Sequence, residues 1–263
     1  MPEAPPSAPL SILYQDDRLV AVHKPAGLLV HRTDLDRHET RFAVQLLRDQ
    51  LGRKVWPVHR LDRGTSGVLL FALDPDTAGA TGRQFEAGTV WKRYVAVVRG
   101  HPPLAGVIDH PLARRDDERE SPSGGGPQAA VTHFRRLATA ELPDAVDRYP
   151  TSRYALLALQ PVTGRRHQLR RHLKHLAHPI LGDATYGKGR HNRFFAERFG
   201  SRRLLLACTD LLLRHPENGR PLYLQAPPSA DFLAVTTALA WGPTLLQGLE
   251  SAHEPALAGL SFI

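Results

Sequence analysis

An aspartate set between two arginines is the first place in this chain where chemistry can be sought. In Val58–His59–Arg60–Leu61–Asp62–Arg63–Gly64–Thr65–Ser66–Gly67, Asp62 precedes the apolar run from Val68 to Leu73. That run reads as a short buried strand, which places Asp62 on a loop entering a core element. Loops held by rigid scaffolds are where catalytic groups tend to lie. Neighbouring cations favour the ionised carboxylate, and an ionised carboxylate can serve as nucleophile or base. The plain alternative is an aspartate that caps a turn and pairs with Arg60 or Arg63. Gly64 and Gly67 bracket a turn that tolerates positive φ or the close approach of another segment.

Two further stretches carry reactive side chains. Lys92–Arg93–Tyr94–Val95–Ala96–Val97–Val98–Arg99–Gly100 places Tyr94 inside a predicted strand, where a tyrosine can equally be core filling. Thr163–Gly164–Arg165–Arg166–His167–Gln168–Leu169–Arg170–Arg171–His172–Leu173 is a turn leading into a basic helix. His167, His172, His175 and His178 crowd that region, but the pattern is not H-E-x-x-H and brings no cysteine or carboxylate partner. Solvated or phosphate-facing histidines fit better, and no metal is expected.

Charge is concentrated around the same place. Arg153 to Arg203 holds twelve Lys/Arg and two acids, Asp183 and Glu197, so this segment carries +10 of a chain total of +8. A polyanion such as nucleic acid is the natural partner of such a segment. No apolar stretch of about 20 residues is present to span a membrane. The Pro/Ala-rich start lacks the basic and apolar regions of a signal peptide. Cys208 is the single cysteine, which excludes an intrachain disulfide. It reads as a small buried residue in a reduced, cytoplasmic protein. No phosphate-loop or dinucleotide fingerprint occurs, and no cofactor is expected.

The elements that must position these residues follow from periodicity and turn chemistry. Strands are predicted at 12–14, 19–22, 68–73, 90–98, 131–137, 154–159, 203–213 and 220–224, the last two around Asn218–Gly219. Helices are predicted at 40–51 with Gly52 as C-cap, at 74–85 with Pro75 in the first turn, and at 166–177. Short helices follow at 192–199 and at 229–239, the latter with Ser229 as N-cap. Arg114 to Gln128 is polar and Gly/Pro-rich and reads as a mobile loop. Strands outnumbering scattered helices indicate an α+β class with a largely antiparallel sheet. Residues 1–9 are expected to form a disordered leader, 10–242 one catalytic domain, and 243–263 a poorly ordered tail.

His59–Arg60–Leu61–Asp62 followed by Thr65–Ser66–Gly67 resembles the signature of the RluA-type pseudouridine synthases. The strand around Tyr94 and the stretch Thr163–Leu173 resemble that family's other two motifs, in the same order. The resemblance implies one mixed domain with a mainly antiparallel central sheet and a cleft carrying the catalytic Asp. It implies an isomerase that breaks the N-glycosidic bond of a uridine, turns the base and rejoins it through carbon, without a cofactor. Asp62 would be the catalytic carboxylate, Arg170 its partner, and Tyr94 a stacking residue that also handles the proton at carbon five. Arg60 would fill the gap left by the extruded base. His59, Arg165, His167, Gln168, Arg171, Lys174, Arg190 and Arg193 are the further residues expected at the RNA.

The match extends within one tRNA-modifying subgroup, whose target is uridine 65 of the T-stem. Leu29–Val30–His31–Arg32, Gly126–Pro127–Gln128–Ala129–Ala130–Val131–Thr132–His133, Arg148–Tyr149–Pro150, Arg171–His172–Leu173–Lys174–His175–Leu176 and Arg190–His191–Asn192–Arg193 are similar to it. With about nine residues ahead of the first matching strand, no separate RNA-binding domain is expected, and the enzyme would act as a monomer on tRNA. The competing readings are a synthase of the same family acting on ribosomal RNA, a catalytically idle RNA-binding protein, and a histidine-rich metal-dependent nuclease.

Overall fold

The computed structural model describes residues 9–32, 39–113 and 126–250. The leader, the glycine-containing segment 114–125 and the last thirteen residues, 251–263, lie outside them, so the expectations made there are not addressed. The chain divides into two compact units, Met1–Val90 with Asp210–Pro227, and Trp91–Thr209 with Pro228–Ile263.

In the first unit, β1 (Ser11–Gln15) pairs antiparallel with β2 (Leu19–Lys24), and β2 with β4 (Ser66–Ala72). The short β3 (Trp56–Pro57), absent from the sequence expectation, adds to the end of β4. Every residue of β4 is buried, as its unbroken apolar run requires. Helix α1 (Ala43–Leu51) begins three residues later than expected, because Phe42 is extended and bridges Leu29. Gly52 ends it in the left-handed region, as read from sequence. Helix α2 (Pro75–Glu86) starts where Asp74 accepts the Thr77 N–H at 2.8 Å and its hydroxyl at 2.7 Å. The hairpin around Asn218–Gly219 joins the end of β9 (Leu206–Arg214) to β10 (Pro221–Gln225).

The second unit is built on β5 (Trp91–Arg99), β8 (Ser152–Pro161), β7 (Val131–Leu142) and β6 (Ala105–Asp109), each antiparallel to the next. Strand alternation sorts side chains to opposite faces. Val95, Val97, Tyr154 and Leu156 pack with Phe195 of α4 (Gly189–Phe199) and with Phe232 and Val235 of α5 (Ala230–Ala238). Ala96, Val98, Ala155 and Leu157 pack with Leu169 and Leu173 of α3 (Gln168–His175), and Tyr94 lies against that same cluster. Burying a Leu or Phe side chain stabilises by about 1.5–3 kcal/mol, so the two faces clamp α3 and α4 to one sheet.

The α+β class and the mainly antiparallel pairing follow the sequence expectation. Local expectations differ at several points, and helix α4, expected from residue 192, starts at Gly189. Helix α3 starts at Gln168 rather than Arg166, since His167 sits in the left-handed region at φ 53°. Ser229 holds the N-cap position of α5 as expected, but without a side-chain cap bond; its hydroxyl bonds Asp231 and accepts Arg203 Nη1 at 2.6 Å. Residues after Trp241 were expected to be poorly ordered, yet Gly242–Glu250 forms α6, whose Leu245 is buried in the core. Among the described residues no helix is long and apolar enough to cross a membrane.

Gly182 is one position where the second unit tolerates no side chain. Its φ is +75°, and a Cβ there would lie 1.7 Å from the Arg203 carbonyl oxygen. Gly182→Ala should destabilise by about 3 kcal/mol or more, through strain and backbone displacement. Gly189→Ala, where a Cβ meets nothing within 4 Å, should be neutral or slightly stabilising. Urea unfolding midpoints of the two variants provide the comparison.

Candidate active site

Asp62 belongs to the first unit, and its loop is held by a buried lysine. Lys24, fully buried at the end of β2, donates to the carbonyls of Pro25 at 2.9 Å, Leu28 at 2.7 Å and Arg63 at 3.2 Å. An ammonium has three N–H donors, so one side chain gathers the turn after β2 and the residue following Asp62. The Gly27 N–H adds a bond to the Arg63 carbonyl at 2.8 Å, and Arg63 Nε returns one to Gly27 at 3.1 Å. Arg63 also pairs with Glu39. Thr65 N–H donates to the Asp62 carbonyl at 3.0 Å, closing the turn. Leu61, Thr65 and Ser66 are buried around a half-buried Asp62.

His59 fastens the same loop from its other side. Its Nε2 accepts the Leu70 N–H at 3.0 Å, and its ring stacks on Phe85 at 4.7 Å. The structure therefore gives His59 a task inside the fold. Arg60 next to it is exposed.

Tyr94 and Arg170 belong to the second unit, on the sheet face covered by α3. Arg170 points its guanidinium at Asp183: Nε to Oδ2 at 2.7 Å and Nη2 to Oδ1 at 2.9 Å. The Arg170 side chain is 11% exposed and that of Asp183 0%. A planar fork binding a carboxylate through two N–H groups is held in direction as well as distance. Burial alone would push the Asp183 carboxyl up; Arg170 and the Tyr186 and Thr185 N–H groups outweigh it and hold it below the usual carboxylate range. Those backbone bonds to Oδ1 are both 2.9 Å. The Tyr186 ring lies 5.1 Å from the Arg170 guanidinium, within cation–π range.

Asp183 itself is placed by the sheet. Ile180 bridges Val98 of β5, and the Leu181 N–H donates to the Val97 carbonyl at 2.9 Å. Asn192 of α4 then takes the Gly182 N–H at 2.9 Å and donates to the Asp183 carbonyl at 2.9 Å. From sequence, Asp183 stood out only as an acid in a basic segment, and its link to Arg170 was missed. The signal was its rarity, as one of two acids in a +10 segment.

The other expected RNA contacts divide by exposure. Arg165, Lys174, Arg190 and Arg193 are exposed and Arg171 half-buried. Arg165 Nε reaches the Ala129 carbonyl at 3.1 Å, Arg171 Nη2 the Ala113 carbonyl at 2.9 Å, and Arg190 lies 3.2 Å from Asp147. Surface pairs of that last kind contribute about 0–1 kcal/mol and leave the cation available. His167 shares a hydrogen bond with the Tyr186 hydroxyl at 3.1 Å. Gln168, expected at the RNA, is instead buried: it accepts from Thr163 Oγ1 and the Arg165 N–H and donates to Val131 O and Thr132 Oγ1. It caps the turn before α3 and ties it to β7. Of the histidines, His172 is buried between Thr132 Oγ1 at 2.9 Å and the His110 carbonyl at 3.0 Å, while His175 stacks on His110.

Lys24→Met keeps the volume and removes the three N–H donors, so the Pro25 and Leu28 carbonyls lose a partner and the Arg63 carbonyl keeps only the Gly27 N–H. It should lower stability by about 2–4 kcal/mol, and the Thr65 and Gly27 amides should exchange with solvent faster than those of β4. Amide exchange followed by mass spectrometry or NMR reads both effects. Unchanged protection at Thr65 and Gly27 would mean that the lysine does not hold the Asp62 loop.

Known proteins share this chain's pattern along most of its length. A sequence model described as RNA pseudouridylate synthase matches residues 18–175. A tRNA pseudouridine synthase C of Pectobacterium carotovorum subsp. carotovorum is 49% identical over 253 residues, 95% of this chain and 67% of the relative. A tRNA pseudouridine synthase C of Vibrio cholerae is 47% identical over 240 residues, covering 90% of this chain and 98% of that one. Among solved structures, human RNA pseudouridylate synthase domain containing 4 superposes with a TM-score of 0.67 at 30% identity, over 88% of this chain and 93% of the other. With its three motifs in order on an antiparallel α+β framework, this chain belongs to the RNA pseudouridylate synthase family.

Proposed function

We propose that this enzyme isomerises a uridine of tRNA to pseudouridine, with Asp62 as the catalytic carboxylate and uridine 65 of the T-stem as its target. The observation that carries the role of Asp62 is its setting. Lys24, His59 and the Gly27–Arg63 bonds immobilise the loop on both sides of a carboxylate that stays half-buried. Rigid support of a reactive group is what catalysis by positioning requires. The tRNA assignment is supported by similarity to proteins named tRNA pseudouridine synthase C, and the position by the subgroup motifs, Arg190–His191–Asn192–Arg193 among them.

In the reaction the bond from ribose C1′ to N1 breaks and one from C1′ to C5 forms, while C5 loses a proton and N1 gains one. Asp62 starts this exchange, by attacking the ribose or by taking a ribose proton. Tyr94 stacks on the extruded base, and its hydroxyl passes the C5 proton on to solvent, giving up its own proton as it takes the new one. Arg170 supplies the cation that keeps the carboxylate aimed. Extruding a paired uridine costs about a few kcal/mol, offset by that stacking and by Arg60 entering the stem. The exposed cations Arg165, Lys174, Arg190 and Arg193, with the half-buried Arg171, hold the phosphates.

Asp62→Asn should remove turnover while leaving tRNA affinity within a few-fold, because an amide is neither nucleophile nor base. Tritium release from unmodified tRNA transcripts carrying 5-tritiated uridine measures this; a single-turnover rate above a few per cent of wild type would sink the assignment. Binding should weaken with salt at a log–log slope of several units. Replacing Arg190 and Arg193 together by Ala should lower that slope by up to about one unit per lost phosphate contact. An unchanged slope would place the RNA on another surface.

A further inference from the structure

We propose that Asp183 is a positioning residue for the isomerisation, fixing the direction in which the Arg170 guanidinium presents its remaining donors. The role rests on Arg170 acting in catalysis, as proposed above. A guanidinium has five N–H donors in one plane. Asp183 binds it side-on, through Nε and Nη2. The other three N–H groups then have a set direction, because the plane cannot turn without breaking both bonds. Tyr186 lies along the same guanidinium at 5.1 Å and limits tilting.

Asp183 can hold such a direction because it is itself held. Its Oδ1 accepts the Thr185 and Tyr186 N–H groups. Its carbonyl accepts from Asn192 Nδ2 at 2.9 Å, and the segment before it is bound to β5. Stability alone is a weak reason for this arrangement. A buried ion pair often does no better than an apolar replacement of equal volume, since two charges must be desolvated. A site that needs one cation aimed to within a fraction of an ångström gains what the stability ledger does not show.

The test uses two variants that retain an acceptor for the Thr185 and Tyr186 N–H groups. Asp183→Asn keeps the shape of the side chain but sets an amide against the Arg170 N–H donors. Asp183→Ser removes the charge with less bulk, and it serves if the first variant folds poorly by circular dichroism. Single-turnover tritium release at saturating RNA, and RNA affinity, are measured for each in the wild-type and Arg170→Ala backgrounds. Transcripts of tRNA are used first, and transcripts of ribosomal RNA if tRNA is inert. The expected result is a rate lowered about 10- to 100-fold with affinity within two-fold. In the Arg170→Ala background the same change should alter the already low rate by less than two-fold. A wild-type rate in both variants overturns the role. So does an equal fold-loss in the two backgrounds, which is the mark of a general structural defect, and so does a normal rate in Arg170→Ala itself. Asp62→Asn in the same assay keeps the two ideas apart: if it remains active, the function proposed for Asp62 falls, while the coupling of Asp183 to Arg170 is still read directly.

Discussion

Two opposite charges buried side by side are the strictest demand this chain makes on itself. Arg170 and Asp183 lie 2.7 Å apart with the aspartate fully inaccessible. Removing either partner of such a pair typically costs about 3–5 kcal/mol, because the survivor is left charged and unpaired. Everything near the pair serves to keep both in place. Gly182 admits the Arg203 carbonyl where a side chain would collide, Asn192 ties the loop to α4, and Leu169 and Leu173 anchor α3 on the sheet. Local packing and the direction of the buried pair are in this sense one problem, solved by the same residues.

The first unit solves a parallel problem with different chemistry. There a loop must stay rigid although it carries Asp62 partly open to solvent. The solution is a buried ammonium shared among three carbonyls, with His59 as a neutral acceptor wedged against Phe85. Each unit thus fixes a buried charge through hydrogen bonds to the backbone, Lys24 to three carbonyls and Asp183 to the Thr185 and Tyr186 N–H groups, which place an atom more closely than apolar contact alone.

Much of this was legible in the sequence, and the parts that were not share a cause. The unbroken apolar run of β4 and the Asp74–Pro75 helix start are local signals, and both led to the observed elements. The antiparallel α+β class was legible from strands outnumbering scattered helices, and the three motifs around Asp62, Tyr94 and Arg170 as a family pattern that implied the same. What stayed hidden depends on contacts remote along the chain. Lys24, beside a proline, reads as a surface turn until Arg63 closes on it. Gln168 reads as an RNA contact until β7 accepts from its amide N–H groups and Thr163 and Arg165 donate to its oxygen. Asp183 follows α3 by a turn, with no periodicity to link it to Arg170. His167 broke the expected helix start because a left-handed residue leaves no trace in composition. The helix after Trp241 was missed because its short apolar pattern gains its meaning only from the core that Leu245 enters.

The contrast between buried and surface pairs has a practical consequence for how the enzyme meets its ionic surroundings. Arg190–Asp147 and Arg153–Glu141 stand in water, where charges more than about 8 Å apart are already screened at physiological ionic strength. The Arg170–Asp183 pair is sheltered from those ions. Counter-ions therefore weaken the surface pairs but hardly touch the alignment of the buried one. Ionic strength thus sorts the charges of one protein into two classes: those that the medium retunes from moment to moment, and a buried pair that it leaves as folding set it.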